Sequence, residues 1–317
     1  MPRLDKNWPP NSATGLTGMR SSPLLWGTAF LAAGAGGLCA AVVLAGLWLS
    51  SPAPAIVGPP PPELVGAEAV AFPSRSGTTL HGWWVPAANG GVGTVVLMHG
   101  VRGNRLQMLS RAKMLCRNGF SVLLFDFQAH GESPGRRITF GKLEGLDAAA
   151  AVQYARGRQP GNRIGVIGTS LGGAAALLGP EPLAVDALVL EAVYPNIDAA
   201  LANRLRVNLG SVAGPLITPA LARLFKVFLP PLIGVAPDDL RPIDRIATTG
   251  VPALIASGTA DTYTPLSEAH SLFTRAAEPK QFWAVEGAGH VDFESYNAAQ
   301  YWSVVLAFLA KDWPATP

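Results

Sequence analysis

The chain has 317 residues, 49% of them apolar and 14% charged, enough to bury the core of one large domain with appendages. Its formal net charge is only +3 and its 24 basic residues are scattered, with no Lys/Arg block, which argues against nucleic-acid binding. The two cysteines, Cys39 and Cys116, stand in neither a Cys-x-x-Cys nor a histidine-rich setting, so neither a disulfide framework nor a cysteine zinc site is expected.

Residues 1–23 carry Arg3, Lys6 and Arg20 against a single acid, Asp5. From Leu24 to Leu49 no residue is charged, and Trp26 and Trp48 stand near the two ends. A run of that length suffices to cross a hydrocarbon core of roughly 30 Å. A transmembrane helix over 24–49 is therefore expected, with 1–23 cytoplasmic and the rest of the chain outside the membrane by the positive-inside rule. The rival reading is a signal peptide cleaved near Ala53-Pro54-Ala55, which would make the protein secreted. The run is longer than a usual signal core, and proline suits such a site poorly. Residues 50–66 include SSPAPAIVGPPPP and predict a stiff, extended stalk.

Residues 67–317 read as one α/β domain. Ala69–Ser74 and Thr78–Pro86 form β-rich runs around Ser76-Gly77, a hairpin pattern. Strands are then expected at Thr94–His99, Ser121–Phe127, Arg163–Gly168, Ala187–Ala192, Ala253–Gly258 and Gln281–Glu286. Helices are expected at Arg105–Arg117, Lys142–Arg156, Leu171–Leu178, Pro265–Ala276 and Phe293–Ala310. Such alternation predicts a mainly parallel sheet with helices on both faces, and sites at the carboxyl ends of its strands. The proline-rich stretch of about 196–249 breaks the rhythm and predicts a short helical cap above the sheet.

Two serines stand in Gly-x-Ser-x-Gly, Ser133 and Ser170. A nucleophilic serine needs a tight strand-to-helix turn, a following backbone N–H for the oxyanion, and a base. Ser170 has a strand before it, a helix after it, and Leu171 as the N–H donor. Ser133 is followed by Pro134, which has no N–H, so it reads as a turn residue. The strand Thr94–Met98 leads into His99-Gly100-Val101, which makes the Val101 N–H the second oxyanion donor; His99 reads as a packed strand-end residue or as a base. Asp261 and His290 follow two later strands and complete the chain order Ser…Asp…His. Taken singly, Asp261 reads equally as a turn or capping residue and His290 as a loop histidine before a helix capped by Asp292. Glu191, also at a strand end, is the next candidate acid.

With these residues assembled, the chain from about Ala67 to Trp313 resembles the α/β-hydrolase superfamily. His99-Gly100 with Asn104, the segment Asp126–Ser133, Gly168-Thr-Ser170-Leu-Gly172, Gly258-Thr-Ala-Asp261 and Gly287-Ala-Gly-His290 are similar to its serine aminopeptidase/monoacylglycerol-lipase-like branch. One departure is Gln128, where the branch often has arginine. The resemblance implies that Asp126 and His130 organise a loop rather than bind metal. The expected chemistry is attack of Ser170 on an acyl carbonyl, with His290 as base, Asp261 orienting it, and Val101 and Leu171 holding the oxyanion. It needs no metal or organic cofactor. The expected substrate is a small acyl ester or thioester, a lipid among the options, and the apolar run Leu221–Val235 reads first as a segment packed onto the domain and alternatively as an acyl-binding lid that can touch the bilayer. A peptidase of the same fold, or a catalytically inactive binding protein on a membrane anchor, are the competing readings.

Overall fold

The computed structural model describes residues 36–37, 39–87, 91–290 and 292–311, without the side chains at 211–213, 215–216 and 229. The chain divides after Ala41. The described residues of the first unit, 36–37 and 39–41, are helical, and Val42–Pro317 forms the second unit.

The strands of the second unit are β1 (Ala53–Pro54), β2 (Glu68–Pro73), β3 (Thr79–Val85), β4 (Gly93–Met98), β5 (Phe120–Phe125), β6 (His130–Gly131), β7 (Ile164–Thr169), β8 (Ala187–Glu191), β9 (Ala253–Gly258) and β10 (Lys280–Val285). Eight of them make one sheet in the order β10-β9-β8-β7-β4-β5-β3-β2, in which β3 alone runs against the others. Burial on both faces explains why the central strands are apolar at successive positions. In β4, Val96 and Met98 enter one core while Val95 and Leu97 enter the other; in β5, Leu123 and Phe125 divide from Val122 and Leu124 in the same way. Helices Lys142–Arg158, Leu171–Leu178 and Leu266–Arg275 supply residues to the first core, and Leu109–Arg117 and Ala298–Lys311 to the second. The α/β expectation holds nearly strand for strand.

Between β8 and β9, where a short helical cap is expected, the chain forms more helix than its prolines suggest. Asn196 caps the helix Ile197–Ile233 by accepting from the Ala199 N–H at 2.9 Å. A single break in backbone geometry falls at Gly210, whose φ of 76° lies in the left-handed region that glycine tolerates.

The largest differences lie at the N-terminus. Residues 24–35 and 38 of the expected membrane span fall outside the described residues, and among the described residues no helix is long and apolar enough to cross a membrane. The end of that run belongs with the domain: Val42 and Ser50 are buried, and the Ser50 carbonyl accepts from the Ile138 N–H at 2.8 Å.

The proline-rich segment, expected as a stiff, extended stalk, is strapped to the domain at its start. β1 pairs in parallel with β6, and the Ala53 and Ala55 N–H groups donate to Ala129 and Gly131 at 2.8 and 2.9 Å. Further along, the Val57 and Gly58 N–H groups both donate to Glu132. The extended backbone that proline favours is also that of a strand, and the alternation Pro52-Ala53-Pro54-Ala55 leaves every N–H on one edge, free to pair. Arg102 completes the strap, donating to the Trp48 and Ser51 carbonyls with its guanidinium over the Trp48 ring.

Candidate active site

β7 ends at Thr169 and the next helix starts at Leu171, so the whole strand-to-helix reversal falls on Ser170. Its φ of 51° and ψ of −109° are strained for a residue with a Cβ. Backbone contacts hold the turn: the Ser170 N–H donates to the Glu191 carbonyl at 2.8 Å, and the Ser170 carbonyl accepts from Ala174 at 3.0 Å. The two motif glycines are places where no side chain fits. A Cβ at Gly168 would stand 2.6 Å from the Gly173 nitrogen, and one at Gly172 would fall on the Met98 carbonyl.

β9 and β10 are parallel neighbours, so their carboxyl-end loops emerge side by side. The loops are tied by Ala260 N–H to the Ala288 carbonyl at 2.9 Å and Gly287 N–H to the Thr259 hydroxyl at 2.8 Å. A Cβ on Gly258 would collide with the Ala288 carbonyl. The two loops therefore meet at backbone contact where Gly258 faces Ala288, two residues before His290.

This packing sets the His290 Nδ1 2.8 Å from an Asp261 carboxylate oxygen. Asp261 also accepts from the Tyr263 and Thr264 N–H groups at 2.8 and 2.9 Å and from the Thr264 hydroxyl at 2.6 Å. Thr264 thus supports the acid through both its N–H and its hydroxyl. Burial pushes the Asp261 carboxyl up, but His290 and Thr264 outweigh it and hold it below the ordinary carboxylate range. The sign follows: the stability this carboxylate contributes is present above the ordinary carboxylate pKa and is lost as pH falls through the lower folded value. With Nδ1–H donating to Asp261, Nε2 is left free to accept a proton.

Ser170 and His290 line one hollow of about 180 Å³, together with Val101 and Asp292. A second hollow of about 180 Å³ opens from Ser170 on the apolar side, walled by Trp48, Phe140, Leu201 and Phe225. Among the described residues neither the Val101 nor the Leu171 N–H has a protein acceptor. Leu171 opens a helix, whose dipole adds to the pull on an anion. A larger hollow of about 490 Å³, near Gln153 and Arg156, shares no lining residue with these two and holds no serine–histidine pair.

The other candidates take structural positions. The Ser133 hydroxyl donates to the Asp126 carbonyl at 2.6 Å and accepts from the His81 N–H at 2.9 Å, so it is used within the fold. His99 is buried, with Nδ1 bonded to the Gly100 carbonyl and Nε2 accepting from the Phe127 N–H, and burial with neighbouring His130 pushes its pKa down to about 3. It is not placed as a base. Asp126 accepts from the Arg105 backbone and guanidinium and from the Glu132 N–H, which organises the 126–133 loop as the resemblance implies. His130 Nδ1 bonds the Gln128 carbonyl in the same loop. The departing Gln128 donates its amide to Glu144 and to the Arg137 carbonyl.

Glu191 is occupied as well. One oxygen accepts from Tyr301 at 2.5 Å, the other from Arg111 at 2.8 Å and Thr169 at 2.9 Å. Arg111 also pairs with Asp292, which retains its capping bond to the Glu294 N–H. The structure thus pairs Asp261, not Glu191, with the histidine.

Four contributors were not legible in the sequence. Gln107 accepts from the Gly100 N–H at 2.7 Å and steadies the loop that carries Val101. Trp48 and Leu49 wall the apolar hollow, and Arg204, on the cap helix, lines both hollows. No short motif marks any of them: Gln107 stands only seven residues beyond Gly100, and Trp48, Leu49 and Arg204 reach the site from more distant parts of the chain.

The model of the serine aminopeptidase (S33) family matches residues 91–231. The uncharacterized protein YfhR of Salmonella typhimurium is 30% identical over 263 residues, covering 80% of this chain and 84% of that protein. The alpha/beta hydrolase domain-containing protein WAV2 of Arabidopsis thaliana is 28% identical over 249 residues, covering 75% and 77%. Among solved structures, the Pyrococcus furiosus esterase Pf2001 is similar with a TM-score of 0.66 at 26% identity, covering 82% of this chain and 97% of that one. Sheet order, strand-end loops and relatives agree: the chain belongs to the α/β-hydrolase superfamily, in its serine aminopeptidase-like branch.

Proposed function

We propose that this protein is a serine hydrolase that cleaves esters or thioesters through an acyl-enzyme on Ser170. The observation that carries the reading is the Asp261–His290 hydrogen bond beside a hollow that also exposes Ser170. The Ser170 Oγ attacks the acyl carbonyl and its proton passes to His290 Nε2, while Asp261 stabilises the imidazolium. The tetrahedral oxyanion is held by the Val101 and Leu171 N–H groups, each contributing about 3 kcal/mol. Collapse expels the alcohol or thiol, which takes the proton from His290. Water then repeats the sequence and releases the acid and Ser170.

The apolar walls of the second hollow, Trp48, Phe140, Leu201 and Phe225, favour an aliphatic acyl group over a peptide. Activity on nitrophenyl esters is expected to rise from acetate to hexanoate and to exceed that on aminoacyl nitroanilides. A flat or falling acyl series, or faster turnover of the anilides, would count for a peptidase instead.

The uncharged residues 24–41, ahead of the part of the run that packs on the domain, are long enough by composition for a membrane anchor of about 17–25 residues and support placing the hydrolase domain outside the cytoplasm. Contacts of the strap favour retention over cleavage, since a cut after Ala55 would remove Trp48, Ser50 and the β1 pairing from the domain. Alkaline extraction of membranes, followed by N-terminal sequencing, is expected to recover uncut protein in the pellet. Soluble protein beginning near Ile56 would replace the anchor by a signal peptide.

A further inference from the structure

Three residues line both hollows at the candidate site: Val101, Ser170 and Arg204. Arg204 therefore stands at the junction where a scissile carbonyl would lie, between the apolar hollow and the one that holds His290. Half-buried, it differs in its partners from Arg105 and Arg111, which are fully buried. Arg105 is paired with Asp126 and Glu132, and Arg111 with Glu191 and Asp292. Arg204 makes no ion pair among the described residues. Among the described residues its guanidinium makes one hydrogen bond, a long one of 3.4 Å to the Ala200 carbonyl of the same helix, and lies 5.6 Å from the centre of the Tyr263 ring.

A partly desolvated guanidinium that no carboxylate contacts directly is favourably placed to take up an anion. Burial depresses the basicity of Arg204 below the ordinary arginine value. Its planar fork matches the geometry of a carboxylate or phosphate and binds either through two parallel hydrogen bonds. The other arginine of the apolar hollow, Arg102, is already engaged with the Trp48 and Ser51 carbonyls.

We propose that Arg204 is a specificity-determining residue that binds an anionic group of the substrate close to the scissile carbonyl, so that the preferred substrates are esters or thioesters bearing a carboxylate or phosphate. The proposal rests on the serine-hydrolase reading, and its test separates the two. Substrate pairs differing only in charge give the first readout. Mono-4-nitrophenyl glutarate against 4-nitrophenyl valerate puts the anion on the acyl side. 3-Butyryloxybenzoate against 3-butyryloxybenzamide puts it on the leaving group.

In one of the two pairs the anionic-to-neutral ratio of kcat/KM is expected to fall at least tenfold in Arg204→Met, chiefly through KM, and to be partly kept in Arg204→Lys. A ratio that does not move in either pair, or a parallel loss on both members of each pair, overturns the proposal; the parallel loss would assign Arg204 to holding Tyr263 in place. The second readout needs no turnover. Hexanoate is expected to raise the unfolding midpoint of Ser170→Ala more than hexanol does, and Ser170→Ala/Arg204→Met is expected to lose that difference. Loss of all ester turnover in the wild type with hexanoate binding retained defeats the hydrolase reading alone. Ester turnover that is indifferent to residue 204 defeats the anion site alone.

Discussion

Replacing Ser170 by alanine is expected to lower ester turnover by roughly 10⁴–10⁶-fold and to abolish labelling by a fluorophosphonate probe. The reason is local. Ser170 carries the strained turn at the end of β7, beside a helix N-terminus and two N–H groups without a protein acceptor among the described residues, which the proposed mechanism assigns to the oxyanion. The unfolding midpoint is expected to stay near that of the wild type, since the strain sits in the backbone and alanine keeps the Cβ. Ser133→Ala supplies the opposite signature. Its hydroxyl bridges the Asp126 carbonyl and the His81 N–H in a buried position, so its removal lowers stability and leaves labelling intact. Labelling that survives in Ser170→Ala and disappears in Ser133→Ala would reverse the assignment of the two motifs.

Asp261→Asn is expected to lower kcat by about 10³–10⁴-fold. An asparagine amide donates to Nδ1 where the carboxylate accepts from it, which moves the ring proton to Nε2 and leaves no base facing Ser170. The comparison with Glu191→Gln makes the measurement decisive. Glu191 accepts from Arg111, Tyr301 and Thr169, and Arg111 is buried with it, so that substitution should appear chiefly as a lower unfolding midpoint. Turnover near the wild-type level in Asp261→Asn would remove Asp261 from the proposed mechanism.

Much of the fold was legible because a parallel sheet buried on both faces has a plain signature. Short apolar β-branched runs such as Thr94–Met98 and Ala253–Gly258 end within one residue of the observed strands. The strand-to-helix step at Ser170 was legible for a related reason, since close backbone approach at Gly168 and Gly172 excludes any side chain. The stalk was misread because proline restricts a backbone to extended geometry without saying whether its free edge meets water or another strand. Here Ala53 and Ala55 meet residues 129 and 131.

What the sequence by itself determined was the order of the chemistry-bearing groups: a serine, an aspartate and a histidine, each after a separate strand, with Pro134 disqualifying the rival serine through its missing N–H. Their meeting was decided by the tertiary structure. The β9–β10 pairing sets Asp261 beside His290, while three competing hydrogen bonds draw Glu191 away. The same is true of the walls of the cavity. Trp48 and Arg204 lie about 120 residues before and 34 after the candidate nucleophile, and only strap docking and cap folding bring them to it. Local sequence encodes backbone conformation and the chemical type of each group, but contacts between distant segments depend on which surfaces remain to be buried once the sheet has formed.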